Sequence, residues 1–236
     1  MEPLLDIREV SKTFGTVPVL ERLSLSVYRG EIFGLLGLNG VGKTTLFKCV
    51  LQLLFPTSGE VRYDGRPLDQ PTIHAKIGYL PEFYLPPGEL TAREYLRLLG
   101  WAVAGPRPDP LGLLAKTGLD PDKPIADYSR GMIQRLGVAI ALLKDPEFLI
   151  LDEPTLGLDP LVRHRLLDWL RELNGQGKTI LLSSHDFTQV EKICQRIAVL
   201  HDRTLRYLGP IEGFLQKHGS ASLEEAFLQE IGGGHA

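Results

Sequence analysis

Residues Gly37-Leu38-Asn39-Gly40-Val41-Gly42-Lys43-Thr44 follow the pattern G-x-x-x-x-G-K-T, and each fixed position has a chemical reason. The glycines let backbone N–H groups turn inward around phosphate oxygens. Lys43 would neutralise β- and γ-phosphate oxygens, and the Thr44 hydroxyl would ligate Mg²⁺. A helix starting near Lys43 would add its positive end to the same place. Such a site needs an acid for the metal. Asp152 ends the apolar run Phe148-Leu149-Ile150-Leu151, and Glu153 follows at once. Asp152 would hold Mg²⁺ through water, while Glu153, projecting differently, could polarise an attacking water. Alone, an Asp-Glu pair at a strand end also suits a solvated turn. His185 follows a further apolar run, Ile180-Leu181-Leu182 with Ser183 and Ser184. By itself it also suits a structural histidine, but beside Lys43 and Asp152 it could hydrogen-bond a γ-phosphate.

The stretch Tyr128-Ser129-Arg130-Gly131-Met132 raises a separate question. Ser129 can cap a helix, Gly131 leaves room near the backbone, and the apolar positions Leu136, Ile140 and Leu143 follow at helical spacing. This is a second helix start with N–H groups free for an anion.

These residues need elements to hold them. Glu31 to Leu36, Phe148 to Asp152 and Thr179 to Ser184 have the unbroken apolar character of strands buried on both faces. Their carboxyl ends would gather the loop, the acids and His185 at one sheet edge. The first third alternates as half-buried strands do, with Asp64-Gly65 as a tight turn. Thr91 and Glu94 form a capping box, Gly105 to Pro110 reads as a loop, and helical pattern resumes to Leu143. Asp202-Arg203 joins a hairpin, and one amphipathic helix is expected after Ile211, before a disordered tail. The fold class is therefore α/β: a mostly parallel sheet with flanking helices, an N-terminal antiparallel β-subdomain and an inserted helical subdomain. The expected boundaries are 1–85 and 146–210 for the core, 86–145 for the helical insert and 211–236 for the C-terminal helix and tail, all within one domain of 1–236.

Composition narrows the partners. The chain has 236 residues, 43% hydrophobic and 23% charged, with a formal net charge of −3, which argues against nucleic-acid binding through a broadly basic surface. Cys49 and Cys194 have no metal-like spacing and read as small buried hydrophobes, pointing to a reducing, intracellular setting. The apolar run Leu136 to Leu143 is far short of the roughly 18–20 residues of a membrane span. Glu2 and Asp6 are unlike the cationic start of a signal peptide. Any link to a membrane would come through another chain.

Taken together, Phe14 in SKTFG, GLNGVGKTT, IGYLPE, YSRGMIQR, FLILDEPTLGLDP and SSHD, in that order, resemble the nucleotide-binding subunit of an ATP-binding cassette (ABC) transporter over residues 4 to 210. The resemblance implies that Phe14 stacks on adenine. It implies that Asn39, Gly40, Val41, Gly42, Lys43, Thr44, Thr45 and Glu82 bind the nucleotide, and that Thr44, Glu82 and Asp152 serve Mg²⁺. Lys43, Glu153 and His185 would be catalytic. Ser129, Arg130, Gly131 and Met132 would form the signature that meets the ATP of a second cassette in a head-to-tail dimer, and Asp159 the D-loop. Every catalytic position is filled, so a homodimer needs no help. The implied activity is ATP hydrolysis coupled to transport through a separate membrane permease, which would hold the subunit on the cytoplasmic face.

Two positions depart from the family pattern. Glu82 stands where glutamine is usual, and the signature LSGGQ appears as YSRGM. Arg130 either points to solvent or adds positive charge near the partner's phosphate. These variants resemble a bacterial exporter-type subgroup, ABC-2. The residues Phe83, Tyr84 and Leu85 suit either an apolar docking groove or simple core. The rival functions are a small-molecule kinase, which would not need the signature or SSHD, and a non-transport cassette ATPase acting on ribosomes or DNA.

Overall fold

The computed structural model describes residues 2–101 and 109–232. The chain opens with β1 (Leu5–Phe14), β2 (Val17–Val27), β3 (Ile32–Leu36), α1 (Lys43–Val50), β4 (Ser58–Tyr63), β5 (Arg66–Pro67), α2 (Gln70–Lys76) and β6 (Ile77–Leu80). Then come α3 (Ala92–Trp101), α4 (Pro110–Thr117) and α5 (Arg130–Ala141). β7 (Phe148–Asp152), α6 (Pro160–Gly175), β8 (Thr179–Ser184), α7 (Phe187–Ile193), β9 (Arg196–His201), β10 (Thr204–Pro210), α8 (Ile211–His218) and α9 (Leu223–Gly232) follow.

The core sheet has the order β10-β9-β3-β8-β7-β6 and is parallel except for the β9–β10 hairpin at its edge. Every residue of β3, β7 and β8 is buried, as the apolar runs predict for strands covered on both faces. Alternate residues serve opposite sides. Ile32, Leu36, Leu149 and Leu151 pack with Leu166, Leu170 and Val190 of α6 and α7. Phe33, Leu35, Phe148 and Ile150 pack with Leu46 and Phe47 of α1. That second cluster also takes Leu5, Ile7, Leu23 and Leu25 from the antiparallel sheet, whose order is β2-β1-β4-β5. Glu147 helps to hold this sheet to the core by accepting from Tyr63 Oη at 3.1 Å, Arg29 Nη1 at 2.9 Å and Lys76 Nζ at 2.9 Å.

The helical part has its own apolar cluster, with Ala92, Leu96, Leu114, Leu119 and Leu136 at its centre. α5 belongs to two cores, because Val138 and Ala141, with Leu142 at its end, face the main one. Glycines set its distance from β6. A Cβ at Gly78 would lie 2.2 Å from the Ala141 carbonyl oxygen, and one at Gly137 would lie 2.4 Å from Leu80 Cδ1. The capping box forms, with Thr91 N donating to Glu94 Oε2 at 2.9 Å and Glu94 N to Thr91 Oγ1 at 3.2 Å.

Several expectations need correction. Two helices, α8 and α9, follow Ile211 where one was expected. Gly219 ends the first in a left-handed conformation with φ 60, the usual device for stopping a helix. α2 is additional, and its N-cap Asp69 accepts from Thr72 N at 2.9 Å. Asp109 and Pro110, expected in a loop, cap and begin α4, while Gly105 to Pro108 of that loop and residues 233–236 of the tail lie outside the described residues. Phe83 and Leu85 are exposed while Tyr84 is half-buried, its hydroxyl 2.8 Å from that of Tyr95, so the loop is not core throughout.

Candidate functional site

Three parallel strands end side by side, and their carboxyl ends carry the site. β3 leads into the Gly37 loop, β7 ends at Asp152, and β8 ends at Ser184 just before His185. The loop turns back tightly. A Cβ at Gly37 would meet the Leu200 carbonyl oxygen at 2.7 Å, and Gly42, the residue that precedes α1, has φ 117, a conformation open to glycine. A cavity of about 160 Å³ lies in front. Asn39, Gly40, Gly42, Lys43, Thr44, Thr45, Glu82, Asp152 and Glu153 all line it. Val41 faces a neighbouring cavity on the far side of the loop.

Inside, the charged groups hold one another. Lys43 Nζ donates to Gly37 O at 2.7 Å and Leu38 O at 3.3 Å, and lies 3.3 Å from Glu153 Oε1. Thr44 Oγ1 donates to Asp152 Oδ2 at 2.6 Å. Ser183 Oγ donates to Asp152 Oδ1 at 2.5 Å, a contact set by the pairing of these two residues across β7 and β8. Burial pushes the Asp152 carboxyl above its ordinary range, although hydrogen bonds from Ser183 and Thr44 pull it back in part. Burial also raises Glu82, and the negative charges of Asp152 and Glu153 add to the effect.

Glu153 is held in a left-handed backbone conformation, φ 50, at a cost on the order of 1–3 kcal/mol for a non-glycine residue. Both of its backbone groups are pinned. Its N–H donates to Ser183 Oγ at 2.9 Å, and its carbonyl accepts from Gln134 Nε2 at 3.0 Å. The side chain is thereby aimed at His185, whose Nδ1 lies 2.9 Å from Glu153 Oε2. The other oxygen, Oε1, is buried and has no hydrogen-bond donor among the described residues, its ion pair with Lys43 aside.

Phe14 stands apart, 45% exposed, with Lys12 Nζ 5.0 Å from its ring centroid. The YSRGM segment is also outside the cavity. Ser129 caps α5, accepting from Met132 N at 3.3 Å. Ser129 and Arg130 are exposed, and Gly131 and Met132 are half-buried. A Cβ at Gly131 would meet Leu158 Cδ2 at 3.1 Å and the Gly157 carbonyl oxygen at 3.3 Å. Glycine thus lets the loop before α6 sit on the start of α5. Asp159 caps α6, accepting from Leu161 N at 3.1 Å and Val162 N at 3.0 Å.

Ser183 and Gln134 were not singled out by sequence reasoning. Both are polar residues on otherwise apolar, buried faces, which is the signal that marks them.

A mostly parallel sheet with a phosphate loop at one strand end and a buried Asp-Glu pair at another defines the P-loop nucleotide-binding class. A family model described as ABC transporter matches residues 20–156. The chain belongs to the ABC transporter family. It is 40% identical over 222 residues to an uncharacterized ABC transporter ATP-binding protein of a Nostoc species, covering 89% of this chain and 66% of that protein. It is 39% identical over 206 residues to the Nod factor export ATP-binding protein I of Burkholderia lata, covering 84% and 68%. The chain thus spans about two thirds of the length of these relatives. A solved ATP-binding subunit of an ABC transporter superposes with a TM-score of 0.87 at 33% identity, over 96% of this chain and 99% of that one. A dimeric bacterial ABC transporter cassette gives 0.80 at 27%, over 87% and 98%, and its dimeric post-hydrolysis state bound to ADP and Pi gives 0.79 at 26%.

Proposed function

We propose that this chain binds and hydrolyses ATP with Mg²⁺ and powers transport, in the export direction, through a separate membrane permease. One observation carries the reading. The loop and its acids share one cavity, while the capped start of α5, equally suited to phosphate, stands outside it. Two copies arranged head to tail bring each loop against the other's α5, so that ATP is shared. The dimeric relatives support this arrangement, and the named exporter supports the direction.

The donors suit Mg²⁺. Thr44, Asp152 and Glu82 offer hard oxygen atoms. Among the described residues no three His, Cys, Asp or Glu side chains form a cage, as expected for an ion that takes one or two carboxylates and completes its shell with phosphate oxygens and water. When bound, it neutralises charge on the β- and γ-phosphates. Lys43 exchanges the Gly37 and Leu38 carbonyls for phosphate oxygens. Phe14 stacks on the adenine. Glu153 takes the proton of the attacking water, and His185 holds both Glu153 and the γ-phosphate. Ser129 and Gly131 close on the partner's γ-phosphate, with Arg130 and Met132 flanking them and Asp159 at the D-loop. These contacts exist only in the closed dimer, so ATP favours that state and phosphate loss releases it.

The chain acts as one unit, with residues 86–145 as the helical arm. The exposed Phe83 and Leu85, in a groove with Ile133 and Leu156, meet the permease. No described helix is long and apolar enough to cross a membrane, and the permease holds the chain at the cytoplasmic face.

Glu153→Gln tests the reading. Turnover should fall by about 10²–10⁴ while ATP still binds, and sizing chromatography with MgATP should show an accumulated dimer. A monomeric, fully active variant would overturn it.

A further inference from the structure

Away from the phosphate loop, a cavity of about 150 Å³ lies where the C-terminal end of α4 meets α5 and α6. At about 30 Å³ per molecule it has room for roughly five waters. Its lining includes Lys116 and Thr117 of α4, Arg135 of α5, and Arg165 and Trp169 of α6, with no acidic residue. Three cationic side chains therefore share a small volume above a largely apolar floor.

Each cation has a different state. Lys116 Nζ lies 3.1 Å from Glu172 of α6, both side chains being exposed. Arg135 Nη1 donates to Thr117 O at 2.7 Å and its Nε to Gly131 O at 3.4 Å. It thereby caps α4 and touches the first turn of α5. Burial pulls Arg135 below the ordinary arginine range, and the charge of Arg165 works in the same direction, against Asp159 and Tyr128. The Arg165 side chain takes part in no ion pair or hydrogen bond among the described residues. Two guanidinium groups facing one cavity without a shared counter-ion repel each other. The α4 carboxyl end does not supply that counter-ion, because the Thr117 carbonyl is already taken by Arg135.

We propose that this cavity binds a phosphate-class oxyanion, either inorganic phosphate or the phosphoryl group of a small metabolite, between Arg135 and Arg165 with Lys116 at the rim. Guanidinium forks match phosphate oxygens pairwise, and the ligand supplies the charge that the two arginines lack. A bound anion would link α6 of the core to α4 and α5 of the helical part. Because Arg135 also reaches the Gly131 carbonyl, the link ends at the first turn of the helix that Ser129 caps. This site is separate from the one that binds ATP and stands independently of it.

Phosphate also suits the loop around Lys43, so titration calorimetry with inorganic phosphate is made first on Lys43→Ala, with circular dichroism to check the fold. The expected result is saturable binding of one phosphate per chain, weakened about tenfold or more when Arg165→Ala is added. Arg165 is exposed, so its removal leaves the fold intact. The same pair of measurements on the chain with Lys43 retained keeps the test valid should Lys43→Ala fold poorly, since Arg165→Ala must then still remove one phosphate site. Glycerol 3-phosphate distinguishes the sources: competition with phosphate assigns a phosphorylated metabolite, and its failure to compete assigns the free ion. Absence of phosphate binding in folded Lys43→Ala, or an affinity indifferent to Arg165→Ala, overturns the proposal.

Discussion

At the start of α1 the phosphate-seeking groups lie among buried acids, while at the start of α5 they face outward. Lys43, Asp152 and Glu153 are buried, and each is already engaged by protein atoms. On the proposed reading, ATP entering there would replace contacts: Lys43 would give up carbonyl oxygens, and Thr44 part of its bond to Asp152. At α5 the Ser129 hydroxyl serves one N–H, and the next two, of Arg130 and Gly131, have no protein acceptor among the described residues. The first region carries charge and, on the proposed reading, would hold a nucleotide by itself. The second carries an exposed cap and a helix end, which give weak anion affinity alone and add selectivity when a phosphate is delivered. The comparison also shows how the two are wired within one chain. Gln134 of α5 holds the Glu153 carbonyl, and Gly131 seats the loop that leads to Asp159. Movement of α5 is therefore felt at Glu153.

The sharpest way to break this comparison is to change the charge of each half in turn. Lys43→Ala should lower the affinity of the isolated chain for a fluorescent ATP analogue by about a hundredfold or more, since a charge-assisted contact to phosphate is lost and Glu153 is left without its cation. A thermal melt separates that loss from a loss of fold. If affinity is unchanged, the loop is not the nucleotide seat. A smaller and more selective effect is expected at Ser129. Asp caps a helix as well as Ser does, so Ser129→Asp keeps α5 intact, but it places a negative charge where a γ-phosphate must arrive. Nucleotide affinity of the monomer should stay within about twofold, while ATP-driven dimerisation, followed by light scattering, weakens at least about tenfold. Equal loss of both would mean that Ser129 belongs to the same half as Lys43.

The two halves were unequally legible in the sequence. The loop could be read because its chemistry is local: glycines, Lys43 and Thr44 lie within eight residues, and the buried strand before it announces itself by an apolar run. Asp152 and His185 followed because parallel strands place their carboxyl ends together. The start of α5 could be read as a capped helix, but its relation to Leu158 and Glu153 could not, since those contacts join residues far apart in sequence through packing. Ser183 was quoted only within its motif, because a polar residue ending an apolar run marks a buried contact without naming the partner, and the partner, Asp152, comes only from sheet register. The same limit explains the C-terminal segment. Gly213 inside α8 and Gly219 after it are one residue type with two meanings, and only the left-handed conformation of the second marks a helix end.

The smallest effect lies in the cap itself, and it tests whether Ser129 has one role or two. In the single chain its hydroxyl accepts from Met132 N, so Ser129→Ala should cost about 1 kcal/mol in chemical denaturation, whereas Ser129→Gly should cost only a few tenths, because glycine tolerates the N-cap conformation. Both variants lack the hydroxyl and so would lose alike the contact to a partner's phosphate proposed for it. If dimerisation depends on that contact, the two should be impaired alike despite their different stabilities. If impairment instead follows stability, with alanine worse than glycine, the hydroxyl matters only for ordering α5, and the partner's phosphate is held by the helix N–H groups alone.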